Sequence, residues 1–275
     1  MKTLYITDLD GTLLNSDGKI SEFSEKTINS LIEKGMNFTF ATARSIASTS
    51  GIVDGIDLKL PAVMMNGVFL TDIKQKKQCS VCKIPKEIAK KVIAIFESHG
   101  RPPFVYNFNG EYIETEYKTI KSQYEQQFVD KRKSLYRKFD VVENYTAEGD
   151  TVYINGIDSK EIIEAVVNDI KKIDGVKYSY YLDIYSGDKY FLEVFYKTAG
   201  KWNCIKKLKE LYGFDRVVAF GDNGNDVEML ENVDLGIAVG NAQPIAKQVA
   251  ELIIGDNNSD GVAKYLLDLY DKGVL

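Results

Sequence analysis

The sequence predicts an α/β protein, a parallel-sheet core into which a second, α+β unit is inserted. Three observations lead there. Short, continuously apolar runs alternate with helical patterns near the N-terminus. The C-terminal stretch returns to the same grammar, and the residues between the two follow a different one.

Thr3-Leu4-Tyr5-Ile6-Thr7 is the first β-type run, Asn37-Phe38-Thr39-Phe40-Ala41 the second and Ala62-Val63-Met64-Met65 the third. Runs that are apolar throughout, rather than alternating, suit strands buried on both faces. Between the first two, Ser21 can cap a helix that carries Ile28, Leu31 and Ile32 on one side, with Gly35 to close it. Strand, helix and strand in this order imply parallel pairing through crossover helices. The pattern resumes with runs at Val217-Val218-Ala219-Phe220, Leu235-Gly236-Ile237-Ala238-Val239 and Glu251-Leu252-Ile253-Ile254. One helix has Pro244 near its first turn, and a final helix carries Val262, Tyr265, Leu266 and Leu269.

From Cys82 to Tyr196 the strands are longer or more alternating, as in Thr151-Val152-Tyr153-Ile154-Asn155 and Tyr190-Phe191-Leu192-Glu193-Val194, and Tyr178 to Tyr185 mixes polar and aromatic residues. Two periodic helices run through Ile88, Val92 and Ile95 and through Ile162, Val166 and Ile170. That is the pattern of a sheet covered on one face. Thirteen of the 17 tyrosines fall in this stretch, either as sheet formers with an apolar body or as the lining of a pocket for a sugar or ring. The expected division is a discontinuous core, 1–81 and 197–275, with 82–196 inserted.

At 275 residues and 44% hydrophobic content the chain can bury a sizeable core. A net charge of -5 argues against nucleic acid as the main partner, because phosphate backbones recruit basic surfaces. No apolar run is long enough to span a bilayer. The N-terminus has no signal-peptide pattern, and three cysteines make no disulfide framework, so the expected compartment is the cytoplasm. Nothing in the sequence sets the oligomeric state.

The sharpest chemical signal is Asp8-Leu9-Asp10-Gly11-Thr12, directly after the first strand. If the strand continues that far, the two carboxylates project the same way. Such a pair resists double ionisation, so one can act as nucleophile and the other as acid. Gly11 permits a sharp exit from the strand. A second acidic segment, Gly221-Asp222-Asn223-Gly224-Asn225-Asp226, follows another apolar strand. It is either an N-capping loop or a set of hard oxygen ligands for Mg2+, with Asp222 and Asp226 converging. Both clusters fall after strands, where open parallel sheets bind ligands. Thr42-Ala43-Arg44 follows the second strand, where a hydroxyl and backbone N–H groups could hold a phosphoryl oxygen. Lys201 begins a helical pattern and could neutralise a phosphate and nearby carboxylates, although most lysines are simply solvated.

Taken in order, these segments resemble the motifs of the haloacid dehalogenase superfamily, and most closely its Cof-type, class IIB phosphatases. Asp8-Leu9-Asp10-Gly11-Thr12 matches the first motif, Thr42 the second, Lys201 the third, and Gly221-Asp222 with Asn225-Asp226 the fourth. The insertion falls between the second and third motifs, where that class carries its cap. The resemblance implies a Rossmann-like core, a mobile cap and a Mg2+-dependent phosphatase acting on small phosphorylated metabolites. Asp8 would attack phosphorus to give an aspartyl-phosphate, and Asp10 would serve as acid and then base. The metal would be held by the Asp8 side chain, the Asp10 backbone carbonyl and Asp222, with Asp226 in support. Thr42, Lys201 and Asn225 would bind the phosphoryl group. A phosphomutase, a sucrose-phosphate-type phosphatase or an inactive binding protein on the same scaffold are the competing readings.

The chain departs from the family pattern at two places. Ala43 stands where the second motif often has glycine, and Lys201 is flanked by Gly200 and Trp202 instead of serine and glycine. Asn66-Gly67, after the third strand, is similar to an Asn-Gly of the same class near substrate entry, and is otherwise a plain turn. Cys79-Ser80-Val81-Cys82 has redox spacing but lacks a strand-to-helix setting. The single histidine, His99, sits at an expected helix end, and Lys131-Arg132-Lys133 reads as a solvated helix face.

Overall fold

A computed structural model describes residues 1–49, 51–134, 137–182 and 188–274. In chain order, β1 (Thr3–Thr7), α1 (Glu22–Glu33), β2 (Asn37–Phe40), α2 (Ile46–Thr49), β3 (Ala62–Met64), β4 (Phe69–Asp72) and β5 (Lys77–Val81) come first. The middle holds α3 (Lys86–Ser98), β6 (Phe104–Phe108), β7 (Ile113–Tyr117), α4 (Gln123–Arg132), β8 (Arg137–Val141), β9 (Thr151–Asp158), α5 (Lys160–Ile170), β10 (Val176–Leu182) and β11 (Tyr190–Tyr196). The chain ends with α6 (Lys201–Tyr212), β12 (Arg216–Gly221), α7 (Val227–Asn232), β13 (Leu235–Ala238), α8 (Pro244–Val249), β14 (Leu252–Ile253) and α9 (Gly261–Asp271). Two compact units result, Met1–Ser80 with Gly200–Leu275, and Val81–Ala199.

The first unit is built on a sheet in the order β14-β13-β12-β1-β2, every pairing parallel. The apolar runs occupy it as their burial requires: β1, β2 and β12 are buried after their first residue. α1 forms because Ser21 accepts the Ser24 N–H at 3.0 Å and Ile28, Leu31 and Ile32 turn inward. The last strand is shorter than the run Glu251–Ile254 suggests, since Leu252 and Ile253 form an exposed edge. β3 joins β2 through one parallel bridge, Ala41 to Val63, and leads a separate antiparallel sheet, β3-β4-β5. Strand order reverses between β1 and β12: the chain moves from β1 outward to β2, and from β12 outward the other way. Ligands of open α/β sheets bind beyond the strand ends at such a reversal.

The second unit is a six-stranded sheet, β10-β11-β9-β6-β7-β8, antiparallel except between β7 and β8. α3 and α5 cover one face, packing Val92, Phe96, Ile163, Val166 and Ile170 on Val105, Ile154, Leu192 and Val194. The other face is not bare, as the one-sided expectation had it. Phe128 of α4 lies 5.2 Å from the Phe104 ring and 5.6 Å from Phe191. Only part of Tyr178 to Tyr185 can be placed, on β10; the remainder lies outside the described residues. His99 caps α3 and its Nε2 lies 2.9 Å from Asp169. Cys79 is exposed on β5 and Cys82 is buried, and the next helix, α3, begins at Lys86. Among the described residues no helix is long and apolar enough to cross a membrane.

Candidate active site

Asp8 and Asp222 follow β1 and β12, the two strands that flank the reversal, and the Asp8 N–H donates to the Phe220 carbonyl at 2.9 Å. Asp226 comes from the turn that starts α7, and Lys201 from the first residue of α6. Carboxylate oxygens of Asp8, Asp222 and Asp226 all lie within 4.8 Å of one another. The Lys201 ammonium is 2% exposed and donates to Asp8 Oδ1 at 2.7 Å and to Asp226 Oδ1 at 2.7 Å. Residues distant in sequence therefore share one buried charge cluster.

Asp226 is spoken for on both oxygens. Oδ1 takes the lysine, while Oδ2 accepts the backbone N–H of Asp222 at 3.0 Å and of Asn223 at 3.1 Å. Its place is behind the loop, fixing Lys201 and the Asp222 backbone. Asp222 is held from the other side by Thr12, whose hydroxyl donates to Oδ1 at 3.1 Å. Gly11 is required here: its φ is +74°, and a Cβ would meet Asp222 Oδ2 at 2.4 Å.

Burial first, then the Asp226 charge, pushes the Asp8 carboxyl up to about 8, with Lys201 working against both. Burial and Asp226 likewise push Asp222 up to about 6. Burial alone would lower the Lys201 pKa, but Asp226 and Asp8 outweigh it and raise the group above the usual lysine range. Three carboxylates and one ammonium leave two formal negative charges. Hard oxygen donors around a doubly negative, mostly buried site fit a divalent cation such as Mg2+.

The paired-carboxylate expectation for Asp8 and Asp10 does not hold. β1 ends at Thr7, and a tight turn, Leu9–Leu13, follows with Gly11 in the left-handed region. Asp10 swings out of the cluster, exposed, and its two oxygens accept from Arg44 Nε at 2.7 Å and Nη2 at 2.6 Å. What raises Asp8 is burial and Asp226, not Asp10. Arg44 is thereby turned onto Asp10, and its backbone N–H donates to Thr42 Oγ1 at 3.1 Å. Thr42 is fully buried at the end of β2, while Ala43 is exposed.

Asn66 and Asn225 meet, the Asn225 amide donating to Asn66 Oδ1 at 3.1 Å. Asn66 sits at φ 51° and its N–H donates to the Thr42 carbonyl at 2.9 Å, so this turn is tied to the second motif. Gly67 has φ +87°, and a Cβ there would meet the Gly200 carbonyl oxygen at 2.2 Å. The Asn66-Gly67 turn thus packs against the residue before Lys201. Lys206 Nζ lies 5.6 Å from the centre of the Trp202 ring, one turn further along α6.

Sequence reasoning gave Thr12 no role and missed Asn241 and Asn257. The Asn241 amide donates to the Gly11 carbonyl at 2.7 Å, and Asn257 donates to the Leu14 carbonyl at 2.8 Å, so both pin the turn after Asp8. Thr12 stood inside the quoted motif and could have been found there; the two asparagines carry no local signal.

A family model described as haloacid dehalogenase-like hydrolase matches residues 5–266. The chain belongs to this family. It is a phosphatase, and several of its curated relatives carry that name. One is the 5-amino-6-(5-phospho-D-ribitylamino)uracil phosphatase YitU of Bacillus subtilis, 27% identical over 97% of this chain and 97% of its own. Among solved structures, TM0651 from Thermotoga maritima superposes with a TM-score of 0.77 at 25% identity, covering 98% of this chain and 97% of the other. The HAD subclass IIB sugar phosphatase BT4131 shares the fold, with a TM-score of 0.71 at 20% identity over 100% of both chains.

Proposed function

We propose that this haloacid dehalogenase-like phosphatase hydrolyses phosphate monoesters of small metabolites, sugar phosphates or compounds like them, through an aspartyl-phosphate on Asp8, in the cytoplasm and with Mg2+. The observation that carries the reading is the buried cluster of Asp8, Asp222, Asp226 and Lys201, with its two uncompensated negative charges. Asp8 and Asp222 would hold the ion together with the Asp10 backbone carbonyl, and Asp226 would support them. Mg2+ bound there would neutralise phosphoryl charge and orient the ester.

This chain's own groups do the rest. An Asp8 oxygen attacks phosphorus and the ester P–O bond breaks, while Asp10 gives its proton to the departing oxygen. Water then attacks phosphorus, Asp10 takes the water's proton, and the bond to Asp8 breaks to release phosphate. Lys201 holds Asp8 in place and, with Thr42, balances charge on the phosphoryl oxygens. Asn225, joined to Asn66, would add a donor. Arg44 must release Asp10 before Asp10 can donate, so the fork between them is a resting arrangement.

The test is phosphate release from a panel of phosphorylated metabolites with Mg2+ and with chelator, in wild type and Asp8→Asn. Expected are Mg2+-dependent turnover in wild type, and no turnover and no covalent phosphate capture in the variant. Substantial activity of Asp8→Asn would remove the nucleophile.

A further inference from the structure

The turn after β1 is anchored unevenly. Its ends are fixed by burial: Leu9 and Leu14 are buried, and the Leu14 N–H donates to the Leu9 carbonyl at 2.8 Å. Its middle has no apolar anchor, because Asp10 is exposed and Gly11 has no side chain. The backbone there is held from the loop after β13. The Asn241 amide donates to the Gly11 carbonyl at 2.7 Å, and its Oδ1 accepts the Asn257 N–H at 2.9 Å. Two residues further on, the Gln243 N–H donates to the Asp222 carbonyl at 2.8 Å. Residues 241–243 therefore touch both acidic loops, the one after β1 and the one after β12.

β12 separates β13 from β1 in the sheet, so this bracket crosses two strand spacings, about 10 Å. Its chemistry admits few residues. A carbonyl can only accept and a backbone N–H can only donate, so the side chain between them needs a donor and an acceptor on one short planar group, which is an asparagine amide. Asn257 repeats the pattern one step away, its own amide donating to the Leu14 carbonyl at 2.8 Å. Asn241 is exposed, and a hydrogen bond open to water adds little to global stability. It does oppose a local force. Asp8, Asp222 and Asp226 outnumber Lys201, and the like charges on the two loops drive them apart.

We propose that Asn241 is a positioning residue for the divalent cation: with Gln243 it holds the loops after β1 and β12 at the spacing the ion needs before the ion arrives. The proposal rests on the Mg2+ reading above, in which the Asp8 side chain, the Asp10 carbonyl and Asp222 are the ligands. Neither Asn241 nor Gln243 is asked to touch the ion. Ligands fixed in advance lose less freedom on binding, and groups that orient them commonly change metal affinity by about 10- to 100-fold.

The experiment follows the melting temperature of the full chain against Mg2+ concentration in wild type, Asn241→Ala, Asn241→Asp and Asn258→Ala, which gives a dissociation constant without any turnover. Asn258 is the control. It accepts the Ser16 N–H at 2.9 Å and donates to the Ser16 hydroxyl at 2.9 Å, a similar grip on the same segment but beyond the acidic turn. Asn241→Ala is expected to bind Mg2+ about tenfold more weakly, with a melting temperature in EDTA within about 3 °C of wild type. Asn241→Asp keeps the shape and the acceptor for Asn257 but turns an oxygen onto the Gly11 carbonyl. Added negative charge by itself would tighten a cation site, whereas loss of the donor loosens it, and loosening is the expected result. Asn258→Ala should leave the constant unchanged. Agreement of Asn241→Ala with wild type within about twofold, tighter binding by Asn241→Asp, or equal weakening in Asn258→Ala overturns the proposal. So does a larger fall of the Asn241→Ala melting temperature in EDTA with an unchanged constant, which assigns a purely structural role. A wild type that Mg2+ does not stabilise overturns the Mg2+ reading and the bracket with it; the other adverse results, with a stabilised wild type, overturn the bracket alone.

Discussion

Lys201→Met tests whether Asp8, Lys201 and Asp226 act as one charge-compensated unit. Methionine keeps much of the volume, so the change is mainly one of charge. Removing the ammonium leaves two carboxylates, 5% and 0% exposed, with no cation between them. Breaking a buried ion pair costs about 3–5 kcal/mol, and here one cation serves two anions at 2.7 Å each. The sign of the pH dependence follows from Asp8. Its carboxyl is raised from 3.8 to about 8, by burial first and Asp226 second, so its contribution to stability is complete below the ordinary carboxyl range and lost as pH rises through about 8. Without the lysine the carboxyl rises further, and at low pH a proton can replace the ammonium. The destabilisation should therefore grow from roughly 1 kcal/mol near pH 5 to the full ~3–5 kcal/mol near pH 9. Urea unfolding in Mg2+-free buffer at the two pH values measures it. Trp202, the one tryptophan and the immediate neighbour of Lys201, reports on this unit by fluorescence. Turnover should fall about 100-fold or more, as for loss of one preorganised charge-stabilising group. Equal losses at the two pH values, or wild-type turnover, would refute the reasoning.

Gly11→Ala puts a methyl where φ is +74° and Asp222 Oδ2 would be 2.4 Å away. The backbone term costs about 1–2 kcal/mol, and the displaced carboxylate should raise the Mg2+ concentration for half-maximal activity about tenfold. An unchanged Mg2+ requirement would show that Asp222 is not held as described. Mg2+ itself should raise the melting temperature of wild type, and more so at pH 8 than at pH 5.5. The cation must displace protons from Asp222, raised to about 6, and from Asp8, raised to about 8, so acid weakens binding. Thermal scans with and without Mg2+ at both pH values check this, and a larger shift at pH 5.5 would contradict it.

The strands and the four motifs were legible because burial on both faces leaves a continuous apolar run, and because acidic residues right after such runs have few structural uses. Asp10 was misread for a local reason. The period-two argument assumes an extended chain, but Gly11 lets the backbone turn at once, so Asp10 faces Arg44 instead of Asp8. Lys201 was found through its place in an ordered set, since a lone lysine carries no signal. Thr12 was visible and unused, whereas Asn241 and Asn257 act on Gly11 and Leu14 from more than 200 residues away.

One criterion separates charges that serve the fold from charges that serve a ligand. Arg101 is 1% exposed, and Glu125, Asp158 and the Ile157 carbonyl compensate its charge within its own unit, although Nη1 keeps no partner among the described residues. Asp226 is likewise exhausted by Lys201 and two amides. Asp8 and Asp222 are different, because after Lys201 is counted the cluster still holds negative charge that burial makes costly, as their raised pKa values register. A fold keeps such an imbalance only where something else arrives to relieve it.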